Sequence, residues 1–157
     1  MNPLQTLKKV LALSWEETLW LLIFLAGSLL LVLVLTIIPM RKLAGLMGHH
    51  LNNRAVCMLA NERDVRKAIR IGQLAQMVDN ATPWQFQCLA QALCVKWLLN
   101  RYRIPSVFYL GTMIVKQEAK PEMKAHAWVD VRQHTVVGAP QHKQYTPVAS
   151  FVTPKPT

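Results

Sequence analysis

Acidic residues are scarce in this chain: 157 residues hold 8 Asp/Glu against 18 Lys/Arg. Residues 1–40 balance Lys8 and Lys9 against Glu16 and Glu17, so the whole excess of +10 falls on residues 41–157. Such a surface suits anionic lipid headgroups or an acidic peptide, or is a solvated basic face beside a membrane. Nucleic acid is the weakest partner class, because no signature interleaves aromatic residues with the cations. Cysteines are few and odd in number, Cys57, Cys88 and Cys94, and their spacing follows no pattern. That argues against a disulfide framework and fits a reducing compartment, where a thiol stays free. His49, His50, His134 and His142 show no ligand spacing such as H-x-x-x-H or C-x-x-C, so no zinc site is expected. No Walker-type glycine loop, internal repeat or low-complexity tract occurs, and no cofactor is expected.

One stretch lacks charge altogether. Thr18 to Met40 is 23 residues of apolar character, with Trp15 and Trp20 at its start, Pro39 near its end, and Arg41 and Lys42 directly after. As a helix it would be about 35 Å long at roughly 1.5 Å per residue. The hydrocarbon core of a bilayer is about 30 Å thick, so the segment is expected to span it. Basic residues on the C-terminal side then place the rest of the chain in the cytoplasm, on a cytoplasmic (inner) membrane. The expected organisation is a hydrophobic N-terminal anchor over 1–47 and one domain over 48–157. Two rivals exist. Ala26, Gly27 and Ser28 offer a signal-peptide site, but the apolar run continues past them. The helix could also pack on the domain or lie in the interface.

Beyond the anchor, Asn61 is placed to cap a helix from about Glu62 to Val78. Residues 79–83 form a loop by composition. A second helix runs from about Gln85 to Arg103, with Cys88, Ala92, Val95 and Leu99 on one face, and Ile104-Pro105 ends it. Strands follow over 107–115, 124–131 and 135–137. The tail, with Pro140, Pro147, Pro154 and Pro156, reads as irregular. The pattern is α+β: a buried helix packed on a small antiparallel sheet, helices and strands segregated, with the long hydrophobic helix in front.

Cys88 falls in the first turn of the buried helix. Unpaired N–H groups and the positive dipole end favour a sulfur anion there, and the same N–H groups could stabilise an oxyanion. The bland alternative is a small core hydrophobe. His126 lies on an alternating strand with Trp128 and Asp130 on the same face. A Cys at a helix start and a His on a later strand is the arrangement of papain- and transglutaminase-like enzymes. Cys94 is six residues beyond Cys88 and points elsewhere. Trp84 and Gln85 could assist an oxyanion site, although Trp84 is equally suited to packing on the sheet.

The segments TPWQFQCLAQALCVKWLLNRYRIPSVFYLGTMI (82–114) and KAHAWVDV (124–131) resemble the lasso-peptide leader peptidases, cysteine peptidases of the transglutaminase-like superfamily. The likeness covers roughly residues 60–140. It implies removal of a leader from a ribosomally made precursor, with Cys88 as nucleophile and His126 as base. It further implies a separate leader-recognition protein and an ATP-dependent macrolactam cyclase as partners. The family's usual third member is an Asp about twelve residues after the His. Here position 138 is Gly, and no Asp follows Asp130. Asp130 is the candidate third member; a backbone carbonyl or a Gln is the alternative orienting group. Arg103 stands where the family has Gly before Ile-Pro, a change to a turn. Two other functions compete: transglutaminase-like acyl transfer to an amine, and a non-catalytic membrane-associated interaction module.

Overall fold

The computed structural model of the chain describes residues 13–37, 49–50, 59–81, 88–115, 122–139 and 141–153. Helix α1 (Trp15–Ile37) starts from a reciprocal cap: Glu17 N–H donates to Ser14 Oγ, and Ser14 N–H donates to Glu17 Oε2. Helix α2 (Glu62–Ala81) starts where Asn61 predicts, with Asn61 Oδ1 accepting from Asp64 N–H at 2.8 Å. Helix α3 (Cys88–Arg101) ends in a left-handed cap. Ile104 N–H reaches back to Leu99 O, Arg103 N–H reaches Asn100 O, and Arg103 itself has φ 56°. Arg103 therefore holds the left-handed position that glycine usually takes at a helix end.

One antiparallel sheet carries the rest, in the order β1-β5-β2-β3-β4. Its strands are β1 (His49–His50), β2 (Ser106–Val115), β3 (Glu122–Val131), β4 (His134–Val137) and β5 (Thr146–Thr153). Strands β2, β3 and β4 form the expected meander. The tail departs from expectation: β5 is a full strand paired to β2 on one side and to the two residues of β1 on the other. Pro147 lies opposite Gly111, beyond the reach of β1, which pairs only with Phe151 and Val152. Among the described residues, Pro147 has no partner on the β1 side, so its missing N–H costs no bond there.

Strand alternation gives the sheet two faces. Phe108, Ala127, Val129, Val131 and Phe151 join the main core with Ile71, Leu74, Ala92, Val95 and Leu99 of the helices. Val107, Tyr109, Trp128 and Val152 form a smaller cluster on the other face, covered by Tyr145. Helix α2 lies close on β4 because residue 72 is glycine: a Cβ there would fall 1.8 Å from Val136 O. Lys96 is wholly buried on α3, and its Nζ donates to Ser106 O at 2.7 Å and Ser106 Oγ at 2.9 Å.

Helix α1 belongs to this core. Trp20 and Phe24 are buried, and Trp20 Nε1 donates to Tyr102 Oη at 2.9 Å. Lys67 bonds Glu16 at 2.8 Å and sits 3.6 Å from the Tyr102 ring centre; Arg70 pairs with Glu17. Burying a side chain such as Phe24 stabilises by about 1.5–3 kcal/mol. A partly exposed ion pair contributes about 0–1 kcal/mol. Apolar burial therefore docks the helix, and the ion pairs fix its rotation. Among the described residues, no helix is long and apolar enough to cross a membrane. The expected span over 18–40 is thus not supported there, because α1 turns one face into the domain core; residues 38–40 lie outside the described residues.

Candidate active site

Cys88 opens α3 and is half-buried. Three of its face-mates, Ala92, Val95 and Leu99, are fully buried against the sheet, which fixes the helix axis and so the place of the thiol. Beside it lies a cavity of about 230 Å³ bordered by Cys88, Leu89, Leu110, Ala125, His126 and Val148. The nucleophile and base expected from sequence therefore border one space. Among the described residues, no hydrogen bond joins Cys88 to His126. Ala127 points toward α3, so alternation turns the His126 ring to the Trp128 face. The thiol on α3 and the His126 ring therefore border the shared cavity from different faces of β3.

The ring of His126 is held from several sides. Tyr145 lies 5.0 Å away, centre to centre, and Trp128 stacks at 6.2 Å and 21°. Trp128 is backed in turn by Tyr109 and His142. The decisive bond is to the backbone: Nε2 lies 2.8 Å from Gly138 O. A carbonyl can only accept, so Nε2 carries the proton and Nδ1 is left with its lone pair. An imidazole fixed in this tautomer can take a proton at Nδ1.

Gly138 supplies that carbonyl through a conformation few other residues adopt. Its φ is +88°, and a Cβ would stand 2.5 Å from Trp128 Cβ and 2.7 Å from Ala127 O. A side-chain carboxylate has no room at this position. A family model described as the transglutaminase-like superfamily matches residues 32–150. The chain belongs to the transglutaminase-like superfamily. No curated protein and no solved structure matches it. A transglutaminase-like domain suggests cysteine-based acyl chemistry, as hydrolysis or as transfer.

Within this transglutaminase-like domain, Asp130 is not at the bonded nitrogen of His126. It lies opposite Thr135, whose side chain hydrogen-bonds it, and near His142. Burial pushes its carboxyl above the usual range, an effect only partly offset by Thr135 and His142. Trp84 and Gln85 lie outside the described residues. Burial pushes the Cys94 thiol up to about 12, which leaves it an inert core group as its helical angle suggests. Sequence reasoning missed Tyr145 and His142. Both sit in or beside the short 3₁₀ turn Gln141–Gln144, and no periodic signal marks them. The glycine at 138 was visible, but not that its carbonyl faces His126.

Proposed function

We propose that this transglutaminase-like domain is a cysteine peptidase that removes the leader from a ribosomally made lasso-peptide precursor. The reading rests most on one observation: Cys88 at a helix start and a tautomer-fixed His126 border the same cavity. It is supported by superfamily membership and by the resemblance of residues 82–114 and 124–131 to the leader peptidases.

The chemistry uses four transfers. His126 Nδ1 takes the thiol proton as Cys88 Sγ attacks the scissile carbonyl carbon. N–H groups at the start of α3 are suited to the oxyanion that forms. The tetrahedral intermediate collapses, the C–N bond breaks, and the proton passes to the leaving amine. Water then opens the thioester, losing a proton to Nδ1, and that proton returns to sulfur. The Gly138 carbonyl serves in place of the absent Asp to hold the ring. A separate leader-recognition protein presents the substrate, and an ATP-dependent cyclase closes the macrolactam afterwards.

The test incubates precursor, leader-recognition partner and full chain, and follows leader release by mass. Cys88→Ala is expected to reduce release to background, and His126→Ala to slow it by about 10²–10⁴-fold. Unchanged release by Cys88→Ala rejects the peptidase. An amine adduct at the cleavage site in place of the free acid would assign acyl transfer instead. Absence of any product from the wild-type chain would favour a non-catalytic module.

A further inference from the structure

Helix α1 is apolar on two opposite sides. One side, with Trp20, Phe24 and Leu31, packs on the domain. The other side carries Trp15, Leu19, Leu22, Ala26 and Leu29, at spacings of four, three, four and three, and all are exposed. Leu22 is 58% and the adjacent Leu30 62% exposed. The stripe runs about 21 Å along the helix at roughly 1.5 Å per residue. Beside it, a groove of about 300 Å³ between α1 and α3 is bordered by Ile23, Gly27, Leu30, Leu31, Leu93 and Trp97, with Trp97 54% exposed. A continuous apolar surface of this kind marks an interaction site rather than scattered exposed leucines.

We propose that this face is a docking surface for an anionic lipid bilayer, with α1 lying in the plane of the interface and not crossing it. Three observations select lipid. The groove presents apolar side chains throughout, so it offers nothing to pair a peptide backbone and everything to an acyl chain. Charge complements anionic headgroups: Lys8 and Lys9 precede the helix, Arg41 and Lys42 follow it, and the chain carries +10. The same +10 on each copy opposes a self-association that would bring two of these chains together. In-plane orientation follows from the other side of the helix. Its start is tied to α2 by Glu16–Lys67 and Glu17–Arg70, and Trp20 and Phe24 are committed to the core. Leaving the domain surface to cross a bilayer would break all four contacts.

Docking has a geometric consequence for the cavity beside Cys88. Leu89, which borders that cavity, shares one α3 face with Leu93 and Trp97 of the groove. Along α3, Leu93 at the near edge of the groove is about 8 Å from Cys88 and Trp97 about 13 Å, at roughly 1.5 Å per residue. Bilayer contact at Trp97 places the thiol near the membrane surface. This inference does not depend on the peptidase reading, since it is read by binding and not by cleavage.

The test is co-sedimentation of the full chain with vesicles of phosphatidylglycerol and phosphatidylcholine, or of phosphatidylcholine alone. Binding is expected to the anionic vesicles, about tenfold weaker to the neutral ones. The Leu22→Glu/Leu29→Glu variant is expected to bind at least about tenfold more weakly with an unchanged far-ultraviolet spectrum, both residues being exposed. Should that variant fail to fold, Trp97→Lys reads the groove separately with the same expectation. Alkaline carbonate is expected to release the bound chain. The proposal is overturned by absence of wild-type binding, by equal binding of the variants, or by resistance to carbonate, which indicates a span. It is equally overturned by a dimer that forms in place of vesicle binding and dissolves in Leu22→Glu/Leu29→Glu.

Discussion

A carbonyl acceptor fixes an imidazole's tautomer as a carboxylate does, but it brings no full charge to stabilise the imidazolium. At His126 the consequence is that geometry carries more of the burden, and the geometry resides in Gly138. Gly138→Ala would press a methyl group into Trp128 Cβ and Ala127 O, at a φ that L-residues avoid. It is expected to destabilise the fold by about 1–3 kcal/mol in denaturant titration. On the proposed peptidase reading, leader release by the fraction that stays folded should fall, because the carbonyl moves off Nε2. Asp130→Asn is expected to do little. Its carboxyl pairs with Thr135 away from Nε2, and burial already disfavours its charge. Leader release within about twofold of wild type is the anticipated result; a loss comparable to His126→Ala would restore Asp130 to the catalytic group.

At the level of elements, the shared face of Cys88, Ala92, Val95 and Leu99 made α3 readable, alternation made β3 readable, and β-branched and aromatic composition made β2 readable, while α2 kept its period only roughly. Asn61 and Ile104-Pro105 marked ends because capping and proline act locally. Strand β5 was not readable, since Pro147 within it and Pro140, Pro154 and Pro156 around it match an irregular tail; what makes it a strand is pairing with β2 on a distant stretch of chain. The two residues of β1 are too short for any pattern. Helix α1 was readable as a helix, with docking on the domain only a rival to the span, because Trp20 and Phe24 look alike whether they meet lipid or protein. The acidic pair Glu16 and Glu17 was the available hint, and its partners Lys67 and Arg70 lie on α2. Those pairs predict a pH effect. The hydrogen bond from Lys67 holds the Glu16 carboxyl below its usual value, and that from Arg70 does the same for Glu17. Their contribution is present above the ordinary value of 4.5 and is lost as pH falls through the lower folded values. The Lys67→Ala/Arg70→Ala variant should therefore melt below wild type at neutral pH, and the gap should close on acidification. A gap that is constant with pH would place the loss in the packing of Lys67 on Tyr102 instead.

For the molecule as a whole, the least expected feature is a lysine at the junction of helices and sheet with no acidic partner among the described residues. Lys96 is wholly buried, and burial lowers its pKa from 10.5 to about 7. A neutral amine donates two protons, and the two acceptors present are Ser106 O and Oγ; the charged form has a third proton without an acceptor among the described residues. In the unfolded chain the ammonium persists to about 10.5, so between about 7 and 10.5 the unfolded state binds more protons. Stability must then rise with pH across that window and be lost as pH falls toward 7. Lys96→Met removes the slope while keeping the stem in the core, at the cost of leaving Ser106 O and Oγ unpaired. Denaturant midpoints measured near each end of the window, for wild type and Lys96→Met, isolate this group from the other titrating lysines and tyrosines. The wild-type midpoint should gain on the variant as pH rises. Parallel midpoints would mean that Lys96 keeps its proton in the folded state, stabilised by a contact other than Ser106.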